Sequence, residues 1–481
     1  MNRKLKWAII VFVTFFVIGG VTFLIDHKDD ASSELESQIA SEALNTTALE
    51  STQAVENLPS ATVLSLRERM EQLTSVAFDG RYPGTEGGRL TEAYLVSEMR
   101  QIGLASPSFA ENYLMDFELI LPVHKQLSTL VLETGEAKLA FEYGEDFVPF
   151  VTRDFAVAVG AFSGKVSVID DPFKLVDFDY YGHPEIVLYK ESAFSGIGYE
   201  SLFAQILEAP NRPKVILYES AQQNSGHFVL SPYSRRAGVN DNEGGLFIYK
   251  VSSEAFAMIA ANPEAQLSGT VDAVMETITA NNVVGMIDGS GDEGVIITAH
   301  FDHLGNNLDG TYNPGALDNA SGVATMLAVA EQLVTNPNPE FDYYFIAFNG
   351  EEEGLFGSGA FAAEGVLSPA QFHMINLDMV GASGDVKLEI ASTSEQSLPY
   401  QDVVFAEALE AGLDVIKTDK GSSDHVPMEA TGFKAVSLTE LDKRYYHTPK
   451  DVTDDAVNLE KMEKVVTFVL GFLLERLSTL P

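Results

Sequence analysis

Val295-Ile296-Ile297-Thr298-Ala299-His300-Phe301-Asp302 is the stretch from which the fold can be read. Its first five residues are apolar or β-branched without alternation, which marks a short strand buried on both faces. The strand ends on a histidine beside an aspartate. Downstream, Ser321 to Leu333 has helical period, with Val323, Met326, Leu327, Ala330 and Leu333 on one face. Strands are expected at Tyr343–Phe348, Met374–Leu377, Val386–Ile390 and Ala435–Leu438, and helices at Val403–Ala411 and Leu459–Leu477. Strand–helix alternation from Asn282 onward predicts an α/β fold with a central sheet flanked by helices. No internal repeat is present.

Upstream the texture changes. From Leu121 to Thr279, short β-type runs at Leu127–Leu132, Phe155–Ala161, Val166–Ile169, Glu185–Tyr189, Lys214–Tyr218 and Leu246–Val251 are punctuated by Gly, Pro, Asp and Asn. Two helices are expected there, at Tyr199–Leu207 and Ser253–Ala261. His124, His183 and His227 occur singly in this β-rich insert and read as surface or packing residues. Before it, Ala61–Val76 and Gly88–Ile102 are helical in period, joined by the Gly/Pro loop Gly80–Gly88.

At the N-terminus, Trp7 to Ile25 is a 19-residue run without charge, preceded by Arg3, Lys4 and Lys6. A helix needs ~20 apolar residues to cross the hydrocarbon core. The run ends without a small-residue cleavage site, so an uncleaved signal anchor is expected, with a cleaved signal peptide as the alternative. The basic flank keeps to the cytoplasm and puts the remainder on the extracytoplasmic side. The Ser/Ala/Glu/Thr-rich stretch that follows reads as a flexible stalk. The expected organisation is an anchor at 1–28, a stalk at 29–57, a first part of the main domain at 58–120, the β-rich insert at 121–279 and the catalytic part at 280–481.

Composition narrows the chemistry. The 481 residues hold 70 Asp plus Glu against 30 Lys plus Arg, a formal net charge of −40. That balance argues against nucleic acid as a partner, because phosphate binding needs a basic surplus. Cysteine is absent, which excludes disulfides, a Cys nucleophile and thiolate metal sites. Any metal must be held by His, Asp and Glu.

Those residues gather at strand ends. His300 follows the first strand, and Asp302 stands where it can receive the other ring N–H. Asp318 lies on the loop Gly315-Ala316-Leu317-Asp318 ahead of a helix. Glu351-Glu352-Glu353 follows Tyr343–Phe348; three adjacent acids at a buried strand end repel one another, and a cation relieves that cost. Asp378 ends the next strand. Ser423-Asp424-His425 and Tyr446-His447-Thr448-Pro449 complete the series. Each alone reads as a turn or cap. Together, His300, Asp318, Glu352, Asp378 and His447 offer two imidazoles and three carboxylates, too many for one open zinc. They suit two ions if Asp318 is shared, with a water held between the ions. Glu351 is then left as a base.

The ordered blocks Ala299–Gly305, Pro314–Gly322, Glu351–Ser358, Asn376–Met379, Ser423–His425 and Tyr446–Pro449 resemble the co-catalytic zinc exopeptidases of metallopeptidase family 28, which includes leucyl-type aminopeptidases and glutamate carboxypeptidases. The resemblance spans roughly Asn282 to Asp451, and Gly80–Leu104 is similar to the family's N-terminal portion. It implies the zinc-exopeptidase, phosphorylase/hydrolase-like fold with a mixed central sheet. It implies two Zn2+ per chain: His300 and Asp378 on one, Glu352 and His447 on the other, Asp318 bridging. Glu351 would be the general base and Asp302 would orient His300. The family's two acids before x-Gly-Leu select Glu351 and Glu352, leaving Glu353 variable. Leu317 stands where an acid is common. Where some aminopeptidases carry an oxyanion-stabilising Tyr, this chain has Lys420-Gly421-Ser422. The insert resembles a protease-associated domain.

The expected activity is hydrolysis of peptides with a free N-terminus: metal-bridged water attacks while Glu351 shuttles the proton. A carboxypeptidase or related amide hydrolase stays open and needs a cation for the substrate carboxylate, with Arg235, Arg236, Lys420 and Arg444 as candidates. A non-catalytic receptor-like relative would show lost ligands, and all five ligand types are present here.

Overall fold

The protein is described by a computed structural model covering residues 66–480, apart from residues 136, 151–158, 172–173, 175, 191–204, 207 and 221–245. The expected anchor and stalk lie outside the described residues, as do His227, Arg235, Arg236 and most of the helix expected at Tyr199–Leu207. No helix among the described residues is long and apolar enough to cross a membrane.

Helices α1 (Leu66–Leu73) and α2 (Glu86–Ile102) come first. The Thr85 hydroxyl accepts the Gly88 amide at the start of α2, and Gly103 ends it in the left-handed region at φ 96, where a Cβ would be strained. Strands β1 (Leu114–Thr134), β2 (Ala137–Ala140), β3 (Phe147–Pro149), β4 (Gly160–Ile169), β5 (Ile186–Lys190), β6 (Val215–Glu219) and β7 (Phe247–Val251) follow. Helix α3 (Ser253–Ala260) leads into β8 (Gln266–Ile287) and β9 (Gly294–His300). The remainder alternates: α4 (Ser321–Leu333), β10 (Asp342–Phe348), α5 (Phe356–Glu364), β11 (Phe372–Asp378), β12 (Leu388–Ala391), α6 (Leu398–Glu410), β13 (Val415–Thr418), α7 (His425–Ala430), β14 (Lys434–Thr439) and α8 (Leu459–Glu475).

Twelve of the described strands form one continuous hydrogen-bonded path, β13-β12-β14-β11-β9-β10-β8-β4-β5-β6-β7-β3, with β1 paired to β8 and β2 to β1 off it. The sheet is mixed. β10, β9, β11 and β14 run parallel, whereas β8 and β12 flank them antiparallel. The registers pair Phe348 with His300 and Asp378 with Thr439. Four parallel strands therefore end along one edge, where open α/β sheets place their ligands. Every residue of β9 is buried, as its unbroken apolar run requires. Helix α4 lies against β9, β11 and α8 and contributes Val323, Leu327 and Ala330 to the main core.

The insert is tied to this sheet by β1 and β8, which pair antiparallel from Leu114 opposite Val283 to Glu133 opposite Gln266. Both strands run across the expected boundaries at 120/121 and 279/280. Their length is hidden in the sequence by Pro122, the polar run His124-Lys125-Gln126 and two register shifts near Gln126. Ile120, Leu127, Val274 and Met275 are exposed, so the ribbon lacks a clean apolar alternation. β13, α5 and α7 are too short to carry a readable period.

Leu327 is fully buried in the main core and Leu409 on α6 is half exposed. Leu327→Ala is expected to cost about 2–5 kcal/mol and Leu409→Ala under about 0.5 kcal/mol, read by denaturant unfolding.

Candidate active site

His300 is the last residue of β9, and its buried ring points into the strand-end cavity. Its Nδ1 lies 3.2 Å from the backbone carbonyl of Asp302. A carbonyl only accepts, so Nδ1 carries the proton and Nε2 is free to bind a cation. The Asp302 carboxylate lies 3.8 Å from the same Nδ1, but its hydrogen bonds go elsewhere. It accepts the backbone amides of Glu351 at 3.1 Å and Glu352 at 3.2 Å. Its backbone thus turns the histidine while its side chain fixes the acidic loop after β10.

Asp318 sits on an irregular turn between Gly315 and α4, with a cis peptide to Asn319. The buried carboxylate of Asp451 accepts the amides of Leu317 at 2.8 Å and Asp318 at 3.0 Å. Asn319 donates to the Leu377 carbonyl and accepts the amides of Gly322 and Met379. This ties the turn to the end of β11, where Asp378 projects. Arg81, fully buried, donates to the carbonyls of Phe301, Pro314 and Gly315, and to Leu73. One guanidinium therefore holds both the His300 and the Asp318 loops. Burial lowers its pKa to about 10, which keeps it charged at neutral pH.

The five expected ligands converge. His300 Nε2 lies 3.3 Å from Asp378 Oδ1 and 3.4 Å from Asp318 Oδ1. On the other side, His447 Nε2 lies 3.2 Å from Asp318 Oδ2 and 3.0 Å from Glu352 Oε2. Ligand atoms in a zinc tetrahedron with bonds of ~2.0–2.2 Å stand about 3.3–3.6 Å apart. The first triad has that spacing and the second is slightly tighter, so the donor set fits divalent cations. Glu351 lines the same cavity, whereas Glu353 is fully buried and does not.

The charges call for a cation. Burial alone would lower the pKa of His300, but Glu351, Asp378 and Asp318 hold it well above the usual histidine range. The same balance, with Glu352 and Asp318 overcoming burial, raises His447. Burial raises Glu352, yet His447 and His303 outweigh it and hold that carboxyl well below its ordinary value. Burial pushes Glu351 well above the carboxylate range, Asp424 up to about 7, and Asp302 and Asp451 up to about 6.

Four contributors escape the sequence reading. His303, three residues past His300, is buried with Nδ1 2.7 Å from Glu352 Oε1. With Asp318 and Glu352 it also forms a metal-capable group; the HxxH spacing was its one signal. Tyr446 stacks on the His447 ring with centroids 3.7 Å apart. Asp451 and Arg81 carried no signal, since their partners are backbone groups far away in sequence. Of the lone histidines, His183 is exposed and lies 3.2 Å from Asp179, and His124 sits on β1 with its pKa lowered to about 4 by burial.

Residues 282–473 match the model of Peptidase family M28. Aminopeptidase YwaD of Bacillus subtilis (strain 168) is 32% identical over 193 residues, covering 38% of this chain and 40% of that protein. Vacuolar membrane protease of Botryotinia fuckeliana is 29% identical over 179 residues, covering 35% of this chain and 16% of that protein. The matched segment thus spans less than half the length of these curated relatives. Two solved structures share the fold. An aminopeptidase from Aneurinibacillus sp. strain AM-1 superposes with a TM-score of 0.60 at 18% identity, covering 86% of this chain and 93% of that one. A zinc aminopeptidase from Bacillus subtilis gives 0.60 at 19% identity, covering 85% and 94%.

Removing the carboxylate that fixes two amides loosens the acidic loop. Asp302→Ala is therefore expected to weaken metal affinity about 10–100-fold, measured by competition with a chelator.

Proposed function

On a chain that carries a Peptidase family M28 domain over residues 282–473, we propose a zinc-dependent exopeptidase that releases residues from a free peptide N-terminus. The observation that supports it is the pair of donor triads meeting on the two oxygens of Asp318, with Glu351 on the same cavity wall. His300, Asp318 and Asp378 would hold one Zn2+, and Asp318, Glu352 and His447 the other, with His303 bracing Glu352. Two such ions activate water and polarise a carbonyl.

The chain's own groups supply the rest. Burial keeps the Glu351 carboxyl far above its ordinary range, so it is basic enough to take the proton of the attacking water. It then returns that proton to the leaving amine nitrogen. Asp302 holds the Glu351 backbone so that its carboxylate faces the cavity. A substrate ammonium group meets Glu351, Asp378 and Glu389 in a cavity of about 250 Å³. That acid-rich wall favours a free amine over a free carboxylate. A carboxypeptidase would use Lys420, a cation on the cavity wall; Arg444 is engaged by Asp442. A receptor-like role would leave the triads without turnover.

The β-rich segment over about 121–279 is proposed as a protease-associated-like insert, on its position in the chain and its separate apolar cluster. Residues 1–28 are proposed as a signal anchor, or a signal removed by cleavage, with the catalytic part extracytoplasmic. The uncharged run behind three basic residues supports this.

Hydrolysis of an aminoacyl para-nitroanilide and of a free dipeptide, with the N-acetylated dipeptide inert, is the expected result; cleavage of the blocked peptide alone overturns the aminopeptidase assignment. Glu351→Gln is expected to keep its metal and lower kcat about 10²–10⁴-fold. As the acting form is the carboxylate, wild-type kcat/KM should fall with decreasing pH, and the group whose raised pKa sets that limb is the one this variant removes.

A further inference from the structure

Of the three acids that favour an ammonium group in the cavity, Glu389 stands apart. Residues in register on neighbouring strands point to the same face of a sheet. Asp378 of β11 pairs with Thr439 of β14, and Thr439 pairs with Glu389 of β12. The three side chains form one row, which puts Glu389 two strand spacings, about 10 Å, from Asp378. Asn376, Ser437 and Ala391 form the next row on the same face. Thr439, Glu389, Ser437 and Ala391 all line the cavity, so it extends along the sheet away from the donor triads. Asn376 donates to the hydroxyls of Ser423 at 2.8 Å and Ser437 at 3.1 Å, which fastens the loop after β13 to this second row. Gly421 of that loop approaches so closely that a Cβ there would lie 3.2 Å from the Ala391 Cβ. The loop therefore closes one side of a recess, and Thr439 and Glu389 form the other.

The chemistry of the recess is set by that acid. The Ser437 and Thr439 hydroxyls lie 3.3 Å apart and bond to each other. The half-buried Glu389 carboxylate has no hydrogen-bond or ion-pair partner among the described residues. The nearby lysines of the sheet are engaged elsewhere: Lys387 lies 2.7 Å from Asp414, and Lys417 pairs with Asp402. Lys420 also lines the cavity, but it is exposed and lies outside ion-pair distance of Glu389. A carboxylate drawn partly out of water gains from an opposite charge brought to it. A substrate α-ammonium group held by Asp378 and Glu351 leaves Glu389 for something longer. A lysyl or arginyl side chain reaches about 6–7 Å from its Cα, which carries its charged end past Thr439 to Glu389. A leucyl side chain stops short and leaves the carboxylate unpaired and further shielded from water.

We propose that Glu389 sets the side-chain preference of the exopeptidase, receiving the ammonium or guanidinium group of an N-terminal lysine or arginine. This role deepens the function proposed above and rests on it. No bond is made or broken at Glu389. Its carboxylate accepts charge-assisted hydrogen bonds, which are roughly twice as strong as neutral ones. The contact forms as substrate binds and persists through the reaction, so it acts on KM more than on kcat. Norleucine has the carbon chain of lysine without the charge, and comparing the two isolates this contact.

The test uses the full-length, metal-loaded protein, wild type and Glu389→Gln, with the lysyl, norleucyl, leucyl and glutamyl para-nitroanilides. Specificity is a ratio of kcat/KM values, and ratios within one preparation cancel differences in metal loading and folded fraction. Wild type should prefer the lysyl over the norleucyl substrate about 10–100-fold, chiefly through KM. Glu389→Gln should bring that ratio to about one, with lysyl hydrolysis falling far more than norleucyl or leucyl hydrolysis. Three results overturn this role alone. One is a wild-type ratio near one. Another is preference for the glutamyl over the lysyl substrate, which makes Lys420 the group that reads the side chain. The third is a loss in Glu389→Gln shared equally by all four substrates, which assigns the carboxylate to the α-ammonium group. A wild-type protein that binds its metals and hydrolyses none of the four anilides and no free peptide overturns the exopeptidase, and this role with it.

Discussion

The carboxylate of Asp318 presents one oxygen 3.4 Å from the His300 ring and the other 3.2 Å from the His447 ring. Asp378 and Glu352 close in from either side at 3.3 and 3.0 Å. Carboxylates packed this closely repel one another, and in a buried cavity water does little to screen them. The arrangement persists only where positive charge is present at its centre. Both imidazoles are drawn toward their charged form by the surrounding acids, which is the same demand expressed through protons. A pair of divalent cations satisfies it more fully, because each carries two charges and uses the lone pairs that the rings and carboxylates present.

Holding such a cluster in place falls to groups that never touch the cavity. Asp451 grips the Asp318 turn by two amides, Asp302 grips the Glu351 loop by two more, and Asn319 fastens the turn to the end of β11. Arg81 spans the His300 and Asp318 loops through their carbonyls. Each pairs a charged side chain with backbone dipoles, so the ligand side chains remain available. The parallel strands supply the common edge, and α4 buries the floor. The same ties therefore serve both the fold and the site geometry.

The strand–helix half from Asn282 onward was legible because its central strands are buried on both faces and α4 carries helical apolar spacing. Ser321–Leu333 was read to the residue, and four of the five ligands stand at or just past a strand end or ahead of a helix, whereas His447 lies in a turn eight residues past β14. The insert was harder. β8 is rich in Thr and Asn, and β1 is broken by Pro122 and by two register shifts, so neither announces its length. His303 was passed over because its partner, Glu352, is 49 residues away. The orienting role of Asp302 divides between backbone and side chain, a distinction that residue type cannot carry. Arg81 sits in a Gly/Pro loop that reads as a turn, and only the folded chain shows four carbonyls meeting its guanidinium.

The central claim is that Asp318 is shared between two cations. Anomalous diffraction at the zinc edge from crystals of the metal-loaded protein tests it most directly. Two peaks about 3.5–4 Å apart, one beside His300 and Asp378 and one beside Glu352 and His447, each reached by a different oxygen of Asp318, are predicted. A single peak, or two that leave Asp318 unshared, would contradict the account.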